Sequence, residues 1–515
     1  MKTKLTPVLV ALCFLSTCVI AEQATTPQSA PADQSASKLL GLVPEASKLD
    51  LILKQMLTSN PSLKSSISKA HSAWLELTGE KAAFYTPSLN AAVENGEAPH
   101  SIPATGFSSI NDGSATAYHV GIESPIAGGV YGGLGVRQIF TNEDNAEDSS
   151  TAGGYIRIPL MQDSGFAIHK SKINALNAAH LKTIAEKKLK LLDSYASTFD
   201  AFARYSFAII DAEEIKNAVT RAEKLVEESS HRAALKDIAQ YQVYPAEYEV
   251  AIRKEELHEA EQNIQLQQRI LLEAIGITNQ LDLVNIPAAE VSSFFSNWAE
   301  EISKISPVTL KGIRLSASLP ELLIAEANIA AATHAHESVV QQERSKLDLK
   351  VGAGWDDDSS LENEFGYNVS LVFSTPLGSD GSKYKLRKAK QDIQTQTLDA
   401  NATAIACELR IQRAELAFSS ACNRLALATK ALEQAQKVLA SENERFSIGD
   451  GTSRNVLDAQ QDLTMAVRRK HSIALEVILS ANELCRASGV SPYIYDTFSS
   501  DSPLNNIIIE NPTEE

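Results

Sequence analysis

Few side chains in this 515-residue sequence are spaced to do chemistry. His334 and His336, in the stretch HAHE that ends at Glu337, suggest a metal pair. Two residues apart on a helix, they point to nearly opposite faces and read as a surface pair. Asp356, Asp357 and Asp358 open the acidic run DDDSSLENE, a solvated loop that would hold divalent ions loosely at most. Asp458, in NVLDA, falls in the first turn of a helical pattern, where the helix dipole favours an acid. No Ser/His/Asp set, zinc spacing, P-loop or dinucleotide fingerprint is present. The expectation is a protein that is not an enzyme and has no metal site or cofactor.

The elements carrying these residues begin with an export signal. Lys2 and Lys4 precede VLVALCFL, an apolar core too short to span a bilayer, and VIA before Glu22 supplies a cleavage site, so residues 1–21 read as a signal peptide. LSTC, ending at Cys18, offers a second reading as a lipidation site. Beyond the signal no 18-residue apolar run follows. The formal charge of −17 argues against nucleic-acid binding. Cys407 and Cys422 lie roughly 22 Å apart along one helical run. A fold-back near Asp450 puts Cys485 beyond disulfide reach of either. All three read as small buried apolar residues.

Residues 22–42 are rich in Pro, Ser, Ala and Gln and read as a flexible tail. A helix starts after Asn60-Pro61. Phe166 to Tyr244 and Ser382 to Ile448 contain no Gly or Pro and repeat apolar residues at three- and four-residue spacing. A helix over 166–234 would be about 100 Å long, a coiled-coil-like rod.

Between the helices lie alternating segments. In KLDLKVGAGW, Leu347, Leu349, Val351 and Trp355 share one face; in FGYNVSLVF, Phe365, Tyr367, Val369, Leu371 and Phe373 share one. The pattern predicts a hairpin over 346–374 whose apolar face meets lipid. VYGGLGVRQIF and GYIRIPL predict a second hairpin within about 117–160, and AYHVGIES is a further strand candidate that extends the first.

The plan of helix, hairpin, long helix and medium helix occurs twice. Pro-Leu follows at Pro159 and Pro376, and L-x4-G closes the medium helix at Gly276 and at Gly489. The predicted organisation is a first repeat over 43–279, a linker over 280–318, a second repeat over 319–490 and a C-terminal tail over 491–515. The fold class is mainly α with a membrane β-barrel. Four strands cannot close a barrel, so identical copies must complete it; three copies give twelve.

This plan resembles the TolC-type outer-membrane efflux proteins, a trimeric channel family. The resemblance spans the mature chain and rests on the duplicated order, on Asn60-Pro61, on Pro-Leu after the strands and above all on FSIGDGTSRNVLDA, Phe446 to Ala459. It implies a homotrimer in the outer membrane of a Gram-negative bacterium, with twelve strands in lipid and an α-barrel in the periplasm. It implies a passive exit duct for small molecules, metal ions or polypeptides. The partners implied are a periplasmic adaptor protein and an inner-membrane pump, of resistance-nodulation-division or ABC type. It places Arg454, Asn455 and Asp458 at the channel's periplasmic mouth, where Asp458 would form an acidic ring; the plainer reading is a solvated helix-start acid. It assigns adaptor contact to turns at Gly449 and Gly451, and at Lys236 and Asp237, where no glycine stands. A reading from another class is a periplasmic coiled-coil tether without a pore, which has no use for the apolar face of 365–373.

Overall fold

The computed structural model describes residues 48–96, 115–126, 129–141, 149–236, 239–278, 288–304, 319–358, 364–375, 380–448 and 450–489. The signal peptide with Cys18, the 22–42 tail, the 491–515 tail, Asp237 and Gly449 lie outside them.

The chain runs α1 (Lys48–Ser59), α2 (Pro61–Phe84), β1 (Ser88–Gly96), β2 (Ala115–Pro125), β3 (Tyr131–Thr141), β4 (Ser149–Pro159), α3 (Ala167–Ala234), α4 (Tyr244–Ile275), α5 (Ala288–Lys304), α6 (Pro320–Gln342), β5 (Lys346–Asp358), β6 (Glu364–Ser374), α7 (Asp380–Ser447) and α8 (Ser453–Ser488). It is mainly α with one antiparallel sheet, as its pattern predicts. The rods α3 and α7 are 68 residues each, because nothing in either run breaks the backbone ladder.

Asn60 caps α2: its side-chain oxygen accepts from the N–H groups of Ser62 and Leu63, and Pro61 occupies the first turn. α4 and α8 end on glycines in the left-handed region, Gly276 at φ 86° and Gly489 at φ 71°. Each presses on the start of another helix. A Cβ on Gly276 would lie 2.6 Å from Pro61, and one on Gly489 would lie 2.8 Å from Leu319.

The main core joins Tyr195, Phe199 and Phe202 of α3 to Phe418 of α7 and to Val477 and Ile478 of α8. α5 forms inside the stretch expected to be a linker. Val291, Phe295, Trp298, Ala299 and Ile302 make its buried stripe, and Trp298 meets Phe199 edge to face. The three cysteines are free; Cys407 and Cys485 are buried, and burial pushes the Cys485 thiol up to about 12.

Among the described residues the sheet has six strands in the sequential order β1 to β6, two more than expected. The first strand-bearing segment folds as four strands. β1 escapes a sequence reading because SLNAAVENG offers only Leu89 and Val93 around alanines, and 18 residues separate it from its partner. Among the described residues, no helix is long and apolar enough to cross a membrane.

Candidate functional site

The strand registers run without a skipped residue, so each strand keeps one set of side chains on one face. One row reads Leu89–Ile122–Leu134–Gly154–Ala353–Tyr367, and the next Ala91–Val120–Val136–Ala152–Trp355–Phe365. This is the outer face. Val351, Trp355, Phe365, Tyr367, Val369, Leu371 and Phe373 are exposed on it, Tyr367 at 81%, while Leu347 and Leu349 are half-buried. Leu89, Val93, Tyr118, Val120, Ile122, Leu134, Val136 and Ile156 continue the apolar band across the other four strands. Trp355 and Phe365 pack edge to face.

The inner face is polar and glycine-rich. Gly121, Gly135, Gly153, Gly354 and Gly366 pair one to the next from β2 to β6, a belt without side chains at one height. Glycine in this position lets a sheet bend and lets neighbouring groups close over the backbone. Beside the belt, Tyr155 lies over Gly133 and its hydroxyl donates to Glu123. Arg157 donates to Glu123 at 2.8 Å and stacks over Tyr131 at 4.0 Å. Asp348, buried, is 3.7 Å from Arg157. His119 and Arg137 are 1% and 2% exposed on this face.

The far ends of the rods carry the other predicted residues. α3 stops at Leu235 and Lys236, both exposed. With no glycine there, Lys236 itself takes the left-handed conformation at φ 63° and its N–H donates to the Ala233 carbonyl. Pro245 falls in the first turn of α4, where its missing N–H costs nothing.

At the second tip the Asp450 N–H donates to the Arg445 carbonyl at 2.9 Å, and Thr452 caps α8 by accepting from the Asn455 N–H. Gly451 does not adopt positive φ. It is needed for space instead: a Cβ there would stand 3.0 Å from the Phe446 nitrogen. Arg454, Asn455 and Asp458 lie together on the exposed face of the first turns of α8, while Ser453, Val456 and Ala459 face inward. Leu225, Ala246, Leu439, Phe446, Val456 and Ala459 pack as one small core, so both tips fold as a unit.

A polar ladder between α3 and α8 has no signal in the sequence. Asp193 pairs with Arg486 at 2.8 Å, and Asp200 accepts from Asn482 at 2.8 Å. Asp211 takes Arg468 in two bonds of 2.7 and 3.0 Å, and Arg221 donates to Thr464 at 3.1 Å. These partners are more than 240 residues apart in the chain. Burial pushes the Asp200 carboxyl up against the pull of Asn482, and the Asp211 carboxylate raises Arg468. His334 meets Glu337 at 3.0 Å, and among the described residues no group of three His, Cys, Asp or Glu side chains is placed to hold a metal.

No family model matches the sequence, and no curated protein is significantly similar to it. Solved structures are similar. The outer membrane protein VceC of Vibrio cholerae aligns at a TM-score of 0.61 with 17% identity, over 86% of this chain and 96% of its own. A membrane protein of Pseudomonas aeruginosa aligns at 0.64 with 16% identity, over 92% and 97%. The CmeC outer membrane channel of Campylobacter jejuni aligns at 0.59 with 12% identity, over 92% and 95%. The chain has the outer-membrane channel fold. In that fold the sheet and the tips sit at opposite ends of the rods: β4 leads through Gly165 into α3, and α3 runs 68 residues to Ala234, just before Lys236.

Proposed function

We propose that this chain is a passive outer-membrane exit channel, assembled from three copies. An inner-membrane pump would drive efflux or secretion through it by way of a periplasmic adaptor. The observation that carries the reading is the outer face of the sheet. Large apolar side chains stand exposed on every strand, in a band that only lipid would cover without cost. A pore-free tether has no use for such a band.

In this reading the rods extend into the periplasm and their tips form the inner mouth. Arg454, Asn455 and Asp458 line that mouth, and Asp458 repeats around the threefold axis as a cation-attracting ring. The turns at Gly449, Gly451, Lys236 and Asp237 meet the adaptor. The energy comes from the pump; this chain supplies the path. The predicted division into two repeats joined at 280–318 belongs to the same proposal.

The experiment is fractionation followed by electrical recording. The protein should co-sediment with outer membranes, migrate differently on gels before and after heating, and carry current across planar bilayers. Recovery only in the soluble periplasm would overturn the reading.

A further inference from the structure

The basic residues next to the sheet carry an inference that rests on the channel reading. We propose that Lys81, Lys170, Lys383, Arg387 and Lys390 form a collar on the outer side of the helices, and that this collar binds the head groups of anionic phospholipids in the periplasm-facing leaflet.

Both rods start with the wrong charge for a helix start. The N-terminus of a helix favours anions. α3 has no acid in its first turn and opens with Lys170 and Lys172. α7 has only Asp380 there, followed by Lys383, Lys385, Arg387, Lys388 and Lys390. All of these cations are exposed, in a chain whose formal charge is −17. Local pairing answers some of them. Lys172 meets Glu80 at 2.6 Å, Lys385 meets Glu343 at 2.6 Å, and Lys383 meets Asp380 at 3.3 Å. Among the described residues, Lys170, Arg387 and Lys390 have no ion-pair partner, nor has Lys81 near the end of α2. An anion outside the chain would answer both the free side chains and the two helix starts.

Helical rotation places the collar outside. Tyr131, on the inner face of the sheet, shares a cavity with Glu80, His169 and Lys172, so this cavity marks the inner side of α2 and α3. His169 stacks on Phe84 of α2, so Ser171, buried two residues on, faces the other flank, toward α6. Lys172, one step past Ser171, is inner; Lys170, one step before it, is outer. α7 runs the same way as α3, with α6 between them, so the order reverses. On α7, Lys390, one step past the buried Ala389, is therefore outer, and Lys383 and Arg387 share its stripe at helical spacing. On α2, Lys81 and Tyr85 turn away from the cavity.

The position fits a lipid head group. β6 ends at Ser374 and α7 starts at Asp380, so the stripe begins just below the apolar band. Lys383 and Lys390 are roughly 10 Å apart along the helix, about the depth that a head-group layer and a reaching lysine side chain cover together. Tyr85, exposed beside Lys81, has the ring and hydroxyl that settle at such an interface. A stripe of cations there prefers lipids of net negative charge over zwitterionic ones.

The test reconstitutes the full mature protein in nanodiscs of phosphatidylethanolamine doped with phosphatidylglycerol, extracts it in mild detergent and identifies the retained lipids by native mass spectrometry. Phosphatidylglycerol should be enriched over its bulk share on the order of tenfold. The triple variant Lys383→Gln/Arg387→Gln/Lys390→Gln should retain it at the bulk share, and Lys385→Gln/Lys388→Gln, on other sides of the same helix, should match the parent. Retention at the bulk share by the parent protein overturns the collar. So does enrichment that survives in the triple variant; if that variant instead loses capture of an adaptor, the stripe meets protein. Current across planar bilayers of phosphatidylethanolamine alone separates the two readings: a parent protein that conducts without enriching the anionic lipid overturns only the collar, and one that neither conducts nor enriches it overturns both.

Discussion

The guanidinium of Arg232, near the end of α3, donates to the backbone carbonyl of Phe446 at 2.8 Å and lies over the Phe446 ring at 4.7 Å. Phe446 opens the second tip and Arg232 closes the first. One side chain thus ties two hairpins that are 214 residues apart in the chain. It is the tip end of the series begun by Asp193–Arg486 and Asp211–Arg468.

Removing that tie should loosen the two tips from each other without unfolding the rods. A charge-assisted hydrogen bond at a half-buried site contributes about 1–2 kcal/mol, little against the packing along 68 residues of helix. Arg232→Ala should raise single-channel conductance several-fold while lowering the melting temperature slightly. Arg232→Lys, which keeps the charge but loses the flat stack on the ring, should fall between. Unchanged conductance in Arg232→Ala would mean the two tips are held by their shared core alone.

The acid near the start of α8 gives a second prediction. Asp458 is exposed on the same face as Asn455 and Arg454. If three copies bring it to a ring, Asp458→Ala removes three like charges from the axis. Conductance at neutral pH should rise and block by divalent cations should weaken. If conductance and cation block both match the parent protein, Asp458 is an ordinary solvated helix-start acid.

Two glycines on helices should answer oppositely to alanine. Gly276 sits at φ 86° with Pro61 where its Cβ would go. Gly276→Ala should therefore cost about 1–3 kcal/mol. Gly79, inside α2, meets nothing within 4 Å, so Gly79→Ala should stabilise by about 0.5–1 kcal/mol. Thermal melts of both variants check the pair, and equal shifts would refute the placement of the α4 end against α2.

The rods and the second hairpin are legible in the sequence, and the rest fails for identifiable reasons. Long stretches without Gly or Pro leave helix as the only outcome, and strict alternation from Phe365 to Phe373 leaves strand. β1 fails because alanines dilute its pattern. α5 was readable: Val291, Phe295, Trp298 and Ile302 keep helical spacing, hidden by its position between two repeats. The pairs Asp211–Arg468 and Asp193–Arg486 could not be read, because no local rule joins charges so distant in sequence. Gly451 shows that a turn glycine can serve space alone, without positive φ.

Histidines set a pH dependence of stability. Burial lowers His169, His180 and His471 below the ordinary value of 6.5. At His471 the neighbouring Lys470 adds to the effect and Asp211 opposes it. A lowered folded value means the unfolded chain binds the proton first. Stability should be full above pH 6.5 and fall as pH drops through it. Melting temperatures between pH 7.5 and 5.5, values chosen to bracket roughly that ordinary histidine pKa, should decline in the parent and less steeply in His471→Leu. An equal slope in both would remove His471 from the cause.

Neighbouring residues on β6 offer the sharpest choice between channel and tether. Leu371 is exposed on the outer face, and Ser370 belongs to the inner face. An arginine on the lipid side of a membrane strand costs about 2–4 kcal/mol near mid-membrane, whereas a lumen position accepts it. Leu371→Arg should therefore cut recovery in outer-membrane fractions severalfold, and Ser370→Arg should leave it near the parent level. In a water-surrounded tether both positions meet solvent, and both variants should behave alike. One step along a strand reverses the side chain's surroundings, so different recoveries for the two variants require an apolar medium on one side of the sheet only.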